Sequence, residues 1–184
     1  IVWRDGKIFH DHSTGVRSGD GTPIGSDTIF RIYSMTKPIV SVALMQMYEE
    51  GRFLLTDPLH LYLGPAWKKK NMRVYKESLG DPYASPGGHT SVACERTITI
   101  KHVLMHTSGL SYGFDRTGTV NKVDGIYHRE KYLPRADQTL AEWVDRLATA
   151  PLSFQPGAAF HYGFNSDVVG RLVEVLSGQP LDVY

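Results

Sequence analysis

Hydrophobic and polar positions change rhythm several times along the chain. Ile1 to Phe9 alternates about Asp5-Gly6, a pair suited to the centre of a tight hairpin, so two short antiparallel strands are expected at the start. A polar, Gly-rich stretch runs from Ser13 to Ser26. Thr28-Ile29-Phe30-Arg31-Ile32-Tyr33 then reads as a strand, and at Ser34 the pattern turns helical. Ile39, Val40, Val42, Ala43, Leu44, Met45 and Met47 leave that helix almost no polar face. This predicts burial on most sides, with Gly51 as the C-terminal cap.

Thr56-Asp57-Pro58 has the cap-then-proline order of a new helix start, and a loop interrupts from Gly80 to Gly88. Thr99 is placed to cap a short helix through Met105 that ends at His106-Thr107-Ser108-Gly109. Leu140 to Ala148 has helical spacing, and Pro151 and Pro156 keep that helix from continuing. Val168, Val169, Leu172, Val173 and Leu176 form one helical stripe before Gly178 and Pro180. There is no repeat and no low-complexity tract. The beginning is mixed; the middle and end are mainly helical.

Composition narrows the functional classes. With 184 residues, 41% of them hydrophobic and 21% charged, the chain buries a core. A formal net charge of +1 with no long one-sign block argues against nucleic acid or a membrane surface as partner. Lys68-Lys69-Lys70 reads as a solvated turn, and the single Cys94 as a bystander thiol that forms no internal disulfide and no zinc site. No apolar stretch approaches the roughly 20 residues of a membrane helix. The chain opens at Ile1, not Met, and stops at Tyr184 inside what reads as an element, so a fragment is expected and the missing signal peptide says little.

Ser34-Met35-Thr36-Lys37 is a Ser-x-x-Lys tetrapeptide of a kind that arises by chance on the order of once in a chain this size. Its context gives it value. Pro38 lacks an amide hydrogen, so the helix should start close to Ser34, at the positive end where free amides favour a developing alkoxide. Lys37 then lies on the same face as the hydroxyl, and desolvation on so apolar a helix favours its basic form. On local physics alone, an N-cap serine followed by a snorkelling lysine is the equal alternative.

Gly109-Leu110-Ser111-Tyr112-Gly113 matches the Gly-x-Ser-x-Gly nucleophile elbow, which needs a strand before the serine and a helix after it. Neither flank fits, because a short helix precedes it and Phe114 to Gly125 shows no helical stripe; a Gly-bounded turn is the better reading. His102 and His106 stand four apart, but Val103 occupies the place of the Glu that a metalloprotease helix carries, so no metal site is expected.

Read together, these segments resemble the serine β-lactamase-like superfamily, which includes class C β-lactamases, DD-peptidases and family VIII carboxylesterases. The resemblance rests on Phe30 to Pro38 with Glu49-Glu50-Gly51 and Leu55-Thr56-Asp57-Pro58, and on Leu104 to Leu110. It continues through Pro156-Gly157, Phe160-His161-Tyr162, Asp167 to Gly170 and Ser177 to Pro180. It implies an α+β fold: an antiparallel sheet flanked by helices with a mostly helical inserted domain. Residues 1–53 would hold the N-terminal strands and nucleophile helix, and residues 54–184 the helical domain.

The resemblance also implies roles: Ser34 as nucleophile and, through its amide, an oxyanion-hole donor; Lys37 as its proton partner; Tyr162, in preference to neighbouring His161, as base and acid. A free tyrosine titrates near about 10, so a cation such as Lys37 would be needed beside it. Tyr33, Tyr112, Phe164 and Asn165 are weaker candidates for contacting substrate. No metal or cofactor is implied, and the partner would be a small ester or amide. Class C enzymes carry an Asn two places after the tyrosine, whereas here Phe164 stands there and Asn165 comes one place late, which favours an esterase over a β-lactamase or DD-peptidase. The third motif, a Lys-Thr-Gly strand or Gly-rich equivalent, has no match before Tyr184, so this stretch by itself is expected to be nearly inactive. Acyl transfer to an alcohol or amine, and a scaffold without turnover, are the other readings.

Overall fold

In the computed structural model, residues 1–17, 19–76 and 90–184 are described, and the loop expected from Gly80 to Gly88 lies outside them. The chain divides into two compact units, Ile1–Met35 and Thr36–Tyr184.

In the smaller unit, β1 (Val2–Arg4) pairs antiparallel with β2 (Lys7–His10). Asp5 and Gly6 join them with φ of 49° and 76°, both in the left-handed region that a two-residue turn of this hand requires. The expected strand from Thr28 to Tyr33 is not formed among the described residues. Ile29 and Phe30 are exposed, and Tyr33–Met35 make a single 3-10 turn closed by Met35 N–H on Ile32 O at 3.0 Å. β propensity records fitness for a pleated surface, and no described strand pairs with this segment.

The larger unit begins with α1 (Thr36–Glu49), so Pro38 falls in its first turn, where a missing amide costs no hydrogen bond. Val40, Leu44 and Met47 form the buried stripe, packed on α6 (Asn165–Ser177). Contrary to the expectation of burial on most sides, Ile39 and Val42 are 60% and 61% exposed. They border an apolar groove of about 640 Å³ that Ala43, Leu140, Leu181 and Tyr184 also line. Apolar periodicity says that a face avoids water; it does not say what covers it.

Gly51, at φ 74°, ends α1 with Arg52 N–H returning to Met47 O at 3.0 Å. The next helix, α2 (His60–Leu63), starts later than Thr56-Asp57-Pro58 suggested, because the Asp57 carboxylate turns back to accept from Leu54 N–H at 2.8 Å and Tyr62 O–H at 2.6 Å. Burial and that carboxylate push the Tyr62 phenol up to about 12. β3 (Arg73–Lys76) and β4 (Thr90–Ala93) form a second antiparallel pair.

Thr99 caps α3 (Ile100–Leu104) reciprocally with His102, and Thr139 caps α5 (Leu140–Leu147) with Glu142. Gly178, in the left-handed region, ends α6. One helix is not legible in the apolar pattern. In α4 (Lys122–Arg129), Asn121 accepts from the amides of Val123 and Asp124, and a short polar sequence is held helical by its cap and by packing of Val123 and Tyr127.

Candidate active site

The side chains that carry chemistry in the larger unit meet where α1, the segment after α3 and the segment before α6 come together. Four backbone bonds brace the last two against each other. Gly157 N–H donates to Thr107 O at 2.7 Å, His161 N–H to His106 O at 2.8 Å, Ser153 N–H to Gly109 O at 2.7 Å, and Phe164 N–H to Ser111 O at 3.1 Å. Gly163 fits only because it has no side chain, since a Cβ there would stand 2.1 Å from Leu110 O. Tyr162 is therefore carried on a segment whose backbone position is fixed on both sides.

Lys37, in the first turn of α1, holds its ammonium 4.9 Å from the centre of the Tyr162 ring and 5.9 Å from that of Tyr112. Both distances lie within the range of cation–π attraction. The His106 imidazole stacks on Tyr162 with ring centres 5.0 Å apart and planes 4° from parallel. Phe114 stacks nearby at 6.1 Å from Tyr162, and it remains 70% exposed, an apolar ring facing solvent beside the tyrosine.

The structure brings Lys37, Tyr162 and Tyr112 together. Ser34 and Tyr33 belong to the smaller unit, in the 3-10 turn that leads by sequence into α1. Phe164 is buried against Tyr112 and Trp143, and Asn165 is fully buried. The Asn165 carboxamide accepts from Ser108 O–H and reaches His106 Nδ1 at 3.1 Å. That carboxamide is spent inside the protein.

Ser111 is not an elbow serine. A helix precedes it, α4 begins only at Lys122, and its hydroxyl is buried between the Asp124 carboxylate, His161 Nε2 at 3.0 Å and Asn121 Nδ2 at 3.1 Å. Burial pushes the Asp124 carboxyl up, but the Asp115 amide at 3.0 Å, the Ser111 hydroxyl and the Gly113 amide at 2.8 Å all donate to it and together hold it below the usual range. This network pins the loop that carries Tyr112. The Nδ1 of His102 serves as the partner of Thr99 N–H in the α3 cap.

Two participants escape the sequence. There His106 reads as half of a rejected metal pair and as part of the Leu104 to Leu110 segment that carries the resemblance, without a role at the tyrosine; the structure adds a φ of 54° that is unusual outside glycine. The other is Asp167 in the first turn of α6, whose carboxyl is raised to about 6, mainly by burial, with Lys37 pulling the other way. An acid held above its unfolded value of 3.8 stabilises the fold when protonated, and that contribution fades as pH rises from about 4 through about 6. Asp167→Asn is therefore expected to raise stability at pH 7 by about 1–2 kcal/mol. Urea melts should show the gain shrinking toward pH 4.

The whole chain, residues 1–184, matches the family model described as Beta-lactamase. The chain belongs to the Beta-lactamase family. Among curated relatives, this Beta-lactamase-family chain is 35% identical over 190 residues to Esterase EstB of Burkholderia gladioli, a match covering 98% of the chain and 41% of the relative. It is 30% identical over 182 residues to Lovastatin esterase of Penicillium rubens, covering 96% of the chain and 41% of the relative. Among solved structures, it superposes on EstCE1, described as a hydrolase with promiscuous acyltransferase activity, with a TM-score of 0.74 at 28% identity, over 97% of the chain and 42% of EstCE1. The chain thus spans about two-fifths of the relatives it matches, and its α+β arrangement is that of the β-lactamase/transpeptidase fold.

Proposed function

We propose that the protein containing this chain is a serine hydrolase that cleaves small carboxylic esters through an acyl-enzyme on Ser34. The observation that carries this reading is the Lys37 ammonium held against the Tyr162 ring, three residues after a serine that leads into the same helix. Two relatives named as esterases support the choice of ester over amide. So does the buried, fully engaged carboxamide of Asn165, which leaves it no free group to hold a substrate amide.

In the proposed reaction, Ser34 Oγ attacks the ester carbonyl and its proton passes to the Lys37–Tyr162 pair. The carbonyl oxygen becomes an oxyanion facing the Ser34 amide, the C–O bond to the alcohol breaks, and the pair returns the proton to the departing alkoxide. Water repeats the sequence to release the acid and restore Ser34. Tyr112 and Phe114 are assigned to the apolar wall for the acyl chain, with Phe164 supporting Tyr112 from behind.

The test is peptide mass spectrometry of the complete protein after exposure to a fluorophosphonate. An adduct on Ser34 that is absent from Ser34→Ala is expected. An adduct on Ser111, or none on the folded protein, would overturn the assignment. EstCE1's description favours one second reading, transfer of the same acyl group to an alcohol in place of water. Ester products appearing when an alcohol is added would reveal it.

A further inference from the structure

His106 occupies a position that neither a metal site nor ordinary core packing explains. Its backbone is in the left-handed region, at a φ of 54°, a conformation that sterics disfavour for a residue with a Cβ. Its ring lies parallel to that of Tyr162. Its Nδ1 faces two groups, Gly163 N–H at 3.4 Å and Asn165 Nδ2 at 3.1 Å.

The neighbours set the direction of these contacts. Ser108 Oγ accepts from Leu110 N–H at 3.1 Å and donates to Asn165 Oδ1. The carboxamide oxygen is thereby fixed as an acceptor, and the Asn165 nitrogen turned toward His106 is a donor. Two donors on Nδ1 require a lone pair there, so the imidazole is neutral with its proton on Nε2. Burial and the positive charge of Lys37 both hold its basicity below that of a free histidine.

We propose that His106 is a positioning residue for the esterase reaction: an uncharged ring, locked by Gly163 and Asn165, that holds the Tyr162 phenol flat beside the Lys37 ammonium. The inference rests on the hydrolase reading for its consequence in rate, but the hold on the ring has a readout of its own. Two variants separate the ring from the acceptor. His106→Asn keeps an oxygen near the place of Nδ1 and tolerates the left-handed backbone, but removes the stacked ring. His106→Phe keeps a stacked ring and leaves Gly163 N–H and Asn165 Nδ2 without their acceptor.

The experiment uses the complete protein with 3-fluorotyrosine, the Tyr162 resonance being assigned through Tyr162→Phe, together with turnover of p-nitrophenyl acetate and thermal melts. For His106→Asn we expect a displaced or broadened Tyr162 resonance, a kcat lower by about 10- to 100-fold, KM within about threefold and a nearly unchanged Tm. For His106→Phe we expect a lower Tm with most of the kcat retained. The opposite pattern, in which kcat tracks Tm and the resonance of His106→Asn stays in place, would overturn the proposal. If the unaltered protein turns over no ester and takes no fluorophosphonate, the hydrolase reading fails, while the resonance still decides whether His106 holds the tyrosine.

Discussion

On the proposed reading, Tyr162→Phe in the complete protein is expected to lower kcat for a short ester by about 10²- to 10⁴-fold, the range for loss of a positioned proton-transfer group, with little change in KM. The phenol contributes two separable things. Its ring is one wall of the assembly with Lys37, His106, Tyr112 and Phe114, and phenylalanine preserves that wall. Its hydroxyl is the only part removed, so the fold should survive and the loss should appear in the chemical step. Steady-state kinetics with single-turnover acylation checks this directly. Unchanged acylation would reassign the proton traffic to Lys37 alone.

The second large effect is on stability. Gly163→Ala introduces a methyl group 2.1 Å from Leu110 O and 3.0 Å from Ser111 O, backbone atoms that side-chain rotation does not relieve. The length of chain carrying Tyr162 must then part from the segment before Tyr112. The expected cost is about 3 kcal/mol or more, comparable to severe overpacking, with a correspondingly lower Tm. Differential scanning calorimetry reads it. Gly178→Ala is the comparison: that glycine meets no atom within 4 Å, so only its left-handed φ of 71° is penalised. Its loss should be about 1 kcal/mol.

The sequence revealed most where a rule is local. Asp5-Gly6, the Thr99 cap, Gly51 and Gly178 each settle a backbone conformation within a few residues, and each is readable. The segment Thr28 to Tyr33 misleads, because a strand exists only with a neighbour and composition does not supply one. The start of α4 is hidden for the opposite reason, a polar helix held by its cap and neighbours with little stripe of its own. Lys37 and Tyr162 stand out by motif and resemblance. The parts that His106, Asn165 and Asp167 play do not, since they depend on contacts with residues far away in sequence.

The backbone bonds between the segments after α3 and before α6 join residues distant along the chain, and Gly163 N–H reaches the His106 ring across a separation of 57. Each must wait for a long loop to close, whereas the helices on either side form from neighbouring residues. The tyrosine's place is thus expected among the last parts of the fold to form. In a hydrogen-exchange experiment the amides of Gly157, His161 and Phe164 would be released together, and a chain caught part-way through folding would carry its helices with no seat yet built for the phenol.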